Sequence, residues 1–127
     1  MLTTEYIEYQ KQLRKVFKAL EEKYESLTSE QNKLGYQQRN ELISHVLSGY
    51  KNDEQLLSKK KEWEAVGLEI RVITWIYKLM KNNRDLYGYF ENPREITSEL
   101  LSLIKKSEEK ELFEIAAILN YWRLKII

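Results

Sequence analysis

The chain has 127 residues, with 21 basic and 20 acidic side chains, one histidine and no cysteine. This length fits one domain around one hydrophobic core, and the 43% of residues that are apolar can supply it. The missing cysteines exclude disulfides and cysteine-ligated zinc, and a net charge of +1 provides no overall field to attract nucleic acid or anionic lipid.

The first residues lack the basic and apolar segments of a secretory signal. The most apolar window, residues 65–80, contains Glu69, Arg71 and Lys78. Charged side chains are unfavourable inside a bilayer, so this window is not expected to span a membrane. We therefore expect a soluble cytoplasmic protein with no membrane contact.

The first two predicted helices follow from apolar residues that recur every three or four positions. The first is predicted from about Glu5 to Leu27, with Thr3 or Thr4 as its N-cap. Residues 28–39 are polar and contain Gly35, which predicts a connection. A second helix is predicted over residues 37–50, ending near Gly49 and Asn52. Its apolar face comprises Leu42, Ile43, Val46, Leu47 and Tyr50.

The third predicted helix, residues 53–81, is the longest and has Asp53 as its N-cap. One apolar seam runs along the whole helix from Leu56 to Met80. A second apolar face accompanies it beyond Ala65, which predicts that other helices surround this half. We therefore expect this helix to be the central one.

The last two predicted helices follow a break at residues 82–91. Asn92 and Pro93 suit an N-cap and a first helical position, and Glu95 can reach back to the cap amide. Residues 105–111 are wholly polar, so Ser107 is predicted to cap a fifth helix, although one long helix would also accommodate them. The predicted fold is all-α: residues 1–127 form one compact bundle of four main helices and a shorter fifth.

The segment Arg39-Asn40-Glu41-Leu42-Ile43-Ser44-His45 resembles the Arg-polar-x(4–6)-His motif of HEPN domains, many of which are metal-independent ribonucleases. The resemblance implies that His45 transfers protons, that Arg39 stabilises phosphate charge and that Asn40 is the accompanying polar residue. That family carries the motif later in its bundle. The alternative is a solvated Arg39 and a partly exposed helical His45.

The segment from Glu114 to Arg123 is similar to the last helix of the small helical subunits in type III CRISPR effector complexes. The resemblance implies a non-catalytic, RNA-binding role. The proline and Gly-Leu features of that family's middle region are missing from this chain. An ordinary amphipathic helix explains the segment equally well.

A basic stripe is predicted on one face of the first helix, pointing away from its apolar seam. Such a stripe can follow the phosphates of a nucleic acid. Glu8, Glu22 and Glu25 flank it at pairing distances, so a solvated outer face is the alternative. The stripe consists of Lys11, Arg14, Lys15 and Lys18.

Aromatic residues are concentrated in the break at residues 82–91, where Tyr87, Tyr89 and Phe90 occur together. They either cap the end of the bundle or form an exposed patch for a protein partner or for base stacking. Ile126 and Ile127 present the same choice between docking on the core and burial against a second copy.

The sequence contains no assembled catalytic set, because it lacks a glycine-rich phosphate loop and a nucleophilic cysteine, and a single histidine leaves only carboxylates for a metal. We expect no metal and no cofactor. The leading hypothesis is a non-enzymatic interaction module: an adaptor, inhibitor, immunity factor or small subunit of a larger complex. Its expected partner is another protein or a second copy of itself. The alternatives are a HEPN-like ribonuclease and an RNA-binding small subunit.

Overall fold

The structure is a computed structural model that describes residues 4–49 and 53–126. The described part is helical, as predicted, and its only β feature is an isolated bridge between Arg84 and Phe90. Predictions for Thr3, Tyr50, Asn52, Ile127 and the side chain of Asp53 lie outside the described part. The helices are α1 Thr4–Leu47, α2 Asp53–Asn82, α3 Pro93–Glu109 and α4 Phe113–Ile126.

Helix α1 is one continuous helix of 44 residues, so the predicted connection at residues 28–39 is wrong. The described part therefore has four helices and not five. The polar stretch contains no proline, and Leu27 and Leu34 continue the seven-residue seam of Leu13 and Leu20 as buried residues. Gly35 lies inside this helix at a point where α2 approaches closely. A Cβ at Gly35 would lie 3.3 Å from Nε1 of Trp63, so the lack of a side chain leaves room for the tryptophan.

Helices α1 and α2 form an antiparallel hairpin. The rings of Phe17 and Tyr77 stack with centroids 4.7 Å apart. Further along α1, Nε2 of Gln31 lies 2.8 Å from where a Cβ at Gly67 would stand. Residues later in α1 therefore contact residues earlier in α2, which makes the pair antiparallel. Helix α1 ends as predicted near Gly49, which has a φ of 75° and donates its N–H to the carbonyl of Val46.

Helices α3 and α4 pack at one end of this hairpin. Leu103 of α3 and Leu119 of α4 line a crevice with Leu68 and Val72 of α2. The side-chain amide of Gln12 on α1 donates to the carbonyl of Lys125 at 2.6 Å. We call residues 4–27, 67–82, α3 and α4, with their connections, the base. We call residues 28–47 and 53–66 the arm, which extends α1 by about 30 Å at 1.5 Å per residue.

Burial differs sharply between these two regions. Among the described side chains of the arm, only Leu34, His45 and Val66 are buried. Leu57 and Trp63 of α2 remain 52% and 38% exposed. Beyond Ala65, α2 buries Val66, Val72, Ile73, Ile76 and Met80, while Trp75 in the same half remains 37% exposed. The buried residues of the base include Leu20, Ile73, Met80, Leu100 and Leu119, all at 0% exposure.

The start of α3 and the break after it were both predicted, with differences in detail. Asn92 is the N-cap residue and Pro93 follows it, but Glu95 accepts from the side-chain amide of Asn92 at 3.3 Å. Ser107 does not cap α4. It is buried within α3, and its carbonyl accepts the N–H of Leu112 at 2.7 Å. The break falls at residues 110–112.

Candidate functional surfaces

The most exposed apolar face of α1 lies on the arm, and we call it the outer stripe. Its five large side chains are between 49% and 82% exposed. Residues two positions apart on a helix differ by about 200° around its axis. Tyr36 and Leu47 therefore point away from the face that buries Leu34 and His45. The outer stripe consists of Tyr36, Leu42, Ile43, Val46 and Leu47.

The sequence predicts Leu42, Ile43, Val46 and Leu47 as one helical face, and the structure turns this face to solvent. The reason is the continuity of α1. The seam of Leu20, Leu27 and Leu34 fixes the rotation of the helix, and His45 follows that seam 11 residues after Leu34. The later apolar residues are therefore directed outward.

Arg39, Asn40 and His45 lie on this same helix but at different positions around it. Arg39 is exposed, and its Nε lies 3.5 Å from the carbonyl of Gly35. Asn40 is also exposed, whereas His45 is only 8% exposed. Six residues of continuous α-helix separate Arg39 from His45 by about 120° around the axis and about 9 Å along it. The guanidinium and the imidazole therefore do not share one side of α1.

The four residues of the basic stripe are all exposed on α1, as the sequence predicts from their spacing. Lys11 pairs with Glu8 at 3.8 Å, and the guanidinium of Arg14 lies 4.7 Å from the ring centroid of Tyr89. Lys18 precedes Tyr36 by 18 residues, which is about five helical turns. The basic stripe therefore lies on the same side of α1 as the outer stripe.

The three aromatic residues of the α2–α3 connection differ in how far they are exposed to solvent. Tyr87 is 85% exposed, Tyr89 is 42% exposed and Phe90 is fully buried. Leu86, which the sequence analysis did not single out, is 100% exposed beside Tyr87. The most exposed side chains of this connection are therefore Leu86 and Tyr87, whereas Tyr89 is half-buried beside the guanidinium of Arg14.

The turn that displays Leu86 and Tyr87 is held by hydrogen bonds. Oδ1 of Asp85 accepts the N–H groups of Tyr87 and Tyr89 at 2.8 and 2.9 Å. The N–H of Gly88 donates to the carbonyl of Asp85, and Gly88 has a φ of 83°. The positive φ favours glycine. Two exposed apolar side chains thus stand on an ordered turn.

Gln10 anchors this turn to α1, and sequence reasoning missed it. Its Nε2 donates to the carbonyl of Phe90 at 2.8 Å, and its Oε1 accepts the N–H of Phe90 at 2.9 Å. Gln10 is 2% exposed. The available clue was position, because Gln10 lies three residues before Leu13 on the buried seam. One amide thus satisfies both backbone groups of a buried residue.

A groove between α1 and α2 contains Tyr24, Tyr77 and Glu21. The hydroxyl of Tyr77 donates to Oε1 of Glu21 at 3.3 Å. Loss of hydration, and secondly the nearby Glu21 carboxylate, raise the pKa of Tyr77 above its ordinary value. The groove forms part of the packing between the two helices.

Helix α4 has a second exposed apolar face, containing Phe113, Ala117, Tyr121 and Leu124. Its Arg123 donates from Nε and Nη2 to Oδ1 of Asn120 at 3.1 and 2.8 Å. Ile126 is fully buried.

Residues 4–49 and 53–126 contain no cluster of potential metal ligands. Within the same residues, no helix is long and apolar enough to cross a membrane. No protein-family model, curated protein or solved structure matches the chain. The proposals below therefore depend on the exposed surfaces.

Proposed function

We propose that this protein is a non-enzymatic interaction module that binds another polypeptide through the outer stripe of its arm. The observation that carries the proposal is the direction of this stripe. Tyr36, Ile43 and Leu47 lie about 180–220° around α1 from the buried Leu34, and the exposed Leu42 and Val46 flank them on one side. A helical partner suits this surface, because the spacing of Tyr36, Ile43 and Leu47 is that of a helix-packing seam.

The size of the outer stripe supports a binding role. Five large side chains, each about half exposed, present roughly 500 Å² of apolar surface. A patch of about 300–600 Å² is among the largest on a typical monomer and often marks an interaction site.

The proposal is tested by affinity capture from the source cell with the wild-type protein and two variants. Ile43→Glu places a charge in the middle of the stripe, and Phe113→Glu is the matched control on α4. Both side chains are more than half exposed, at 57% and 62%. We expect proteins retrieved by the wild type to be lost with Ile43→Glu and retained with Phe113→Glu. Equal retrieval by all three proteins would contradict binding through the arm.

RNA binding through the basic stripe is the second candidate function. The specific observation in its favour is the exposure of Lys11, Arg14, Lys15 and Lys18 on one side of α1. Binding by this route depends steeply on salt concentration, because phosphate neutralisation releases counterions. Charge reversal of Lys15 and Lys18 to Glu is therefore expected to reduce binding and its salt dependence.

A further inference from the structure

We propose that the partner of the outer stripe is the same stripe of a second copy of this chain. Two α1 helices then cross antiparallel at Ile43, and each arm covers the other. This inference rests on the proposed function, because it names the polypeptide that the stripe binds. It goes beyond that function by fixing the partner, the symmetry and the relative direction of the two helices.

The area available on the arm fits such a pairing. A stable interface of standard size uses about 800 Å² of each partner. The outer stripe provides roughly 500 Å² of this as apolar surface, and polar neighbours such as Asn40 can supply the rim. A twofold interface needs only one such patch, since the same residues meet from both sides.

The outer stripe surrounds one charged side chain, Arg39, which lies one helical turn from both Tyr36 and Ile43. Arg39 is exposed and its Nε is directed back toward the carbonyl of Gly35, so its long stem can keep the guanidinium in solvent at the rim of the pair. Ile43 and Leu47 can therefore be covered without burying an unpaired ion, which would cost several kcal/mol. The net charge of +1 adds little repulsion between two copies.

The charges on the rest of α1 select the antiparallel direction. Lys11, Lys15 and Lys18 lie on the same side of this continuous helix as the outer stripe. Parallel pairing would place the basic stripes of the two copies beside each other, and like charges at close range repel. Antiparallel pairing at Ile43 separates Lys18 from the Lys18 of the second copy by about 75 Å, at 1.5 Å per residue.

The shape of the molecule permits the antiparallel arrangement. The arm extends about 30 Å along α1 beyond the last residue of the base. In an antiparallel pair the two bases lie at opposite ends, so α3 and α4 of one copy do not collide with those of the other. The described contacts of α3 and α4 with α1, such as Gln12 with Lys125, lie near the start of α1.

The first test measures oligomeric state by analytical ultracentrifugation across a range of concentrations. We expect the wild type and Phe113→Glu to form dimers of about 31 kDa, twice the chain mass of 15.4 kDa. Ile43→Glu is expected to raise the dimer dissociation constant on the order of 100-fold, because a carboxylate from each copy replaces an apolar side chain at the crossing point and must lose its hydration there. Circular dichroism establishes that each variant remains helical.

The second test uses the absence of cysteine from this chain, which makes single-cysteine variants unambiguous. A disulfide requires Cα atoms within about 7 Å. Oxidation is expected to cross-link Ile43→Cys into a dimer. It is not expected to cross-link Tyr36→Cys, because antiparallel pairing places the two copies of residue 36 about 21 Å apart. Cross-linking of both variants would indicate parallel pairing and contradict the proposal.

The two proposals fail in different ways. A monomeric wild type at all concentrations overturns self-pairing, and so does a dimer disrupted by Phe113→Glu and unaffected by Ile43→Glu. If the wild type is monomeric and Ile43→Glu loses a cellular partner in the capture experiment, the proposed function remains and the second copy is replaced by another protein. If the purified wild type is dimeric through Ile43, both proposals are supported.

Discussion

The base and the arm are built from the same two helices but differ in what covers them. In the base, α3 and α4 form a second layer over the hairpin, and residues such as Leu20 and Ile73 are fully buried. In the arm, the described contacts of α1, such as Gly35 with Trp63, are with α2, and the outer side of α1 exposes Ile43 and Leu47. A single helix can thus contribute to a core at one end and present a binding face at the other.

The first prediction concerns the stability of the base compared with the arm. Leu20 and Leu34 lie on the same seam of α1, at 0% and 8% exposure. We expect Leu20→Ala to lower the free energy of unfolding by about 3–4 kcal/mol, because it leaves a cavity in the fully buried core of the base. Leu34→Ala should cost about 1–2 kcal/mol, because the two-helix arm can relax or admit water. Chemical denaturation measures both, and equal costs would contradict the distinction.

The second prediction concerns the attachment of the connecting turn to the base. Gln10→Ala removes two hydrogen bonds to the buried backbone of Phe90 and should lower stability by about 2–3 kcal/mol. Gln12→Ala is the control, because it removes one exposed hydrogen bond and should cost under about 1 kcal/mol. Similar costs for the two variants would show that Gln10 does not hold the turn.

The difference between the two regions also explains what the sequence could and could not predict. The seam of Leu13, Leu20 and Leu27, the start at Asn92-Pro93 and a break before α4 were predicted, because each has a local physical signature. The continuity of α1 was not. Residues 28–39 are polar, and this polarity was interpreted as a connection. A helix in a two-helix arm buries little surface, so polar residues are compatible with it.

The candidate sites were predictable only in part, for a related reason. Spacing alone placed Lys11, Lys15 and Lys18 on one face, because helical periodicity determines this. The exposure of Tyr87 and the burial of Phe90 could not be predicted, because tertiary contacts decide which residues of a short connection are buried. Gln10 was missed because a polar residue within an apolar seam has no signature of its partner, which lies 80 residues away.

The third prediction concerns the HEPN-like motif on the arm. Because Arg39 and His45 occupy different sides of α1, we expect no cleavage of single-stranded RNA by the wild type in the presence of a chelator. His45→Ala should behave identically in this assay and should change stability by about 1–2 kcal/mol, as a buried residue. Metal-independent cleavage that disappears in His45→Ala, with helicity intact, would establish the ribonuclease alternative.

The smallest expected effect concerns the tip of the connecting turn. Leu86 is 100% exposed, so Leu86→Ser should change the free energy of unfolding by less than about 0.5 kcal/mol. Phe90→Ala, four residues later in the same connection, should cost about 3–5 kcal/mol, because its ring is fully buried. A large cost at Leu86 would mean that its side chain is covered in solution.

The continuity of α1 is the claim on which the arm and its outer stripe depend, and an intramolecular distance tests it directly. Spin labels at Lys11→Cys and Asn40→Cys, with each doubly labelled molecule diluted in unlabelled protein, report this distance by pulsed electron resonance. One unbroken helix predicts about 43 Å for the 29 intervening steps at 1.5 Å each. A distribution centred below about 30 Å would mean that the chain folds back near residues 28–39, and the arm would not exist.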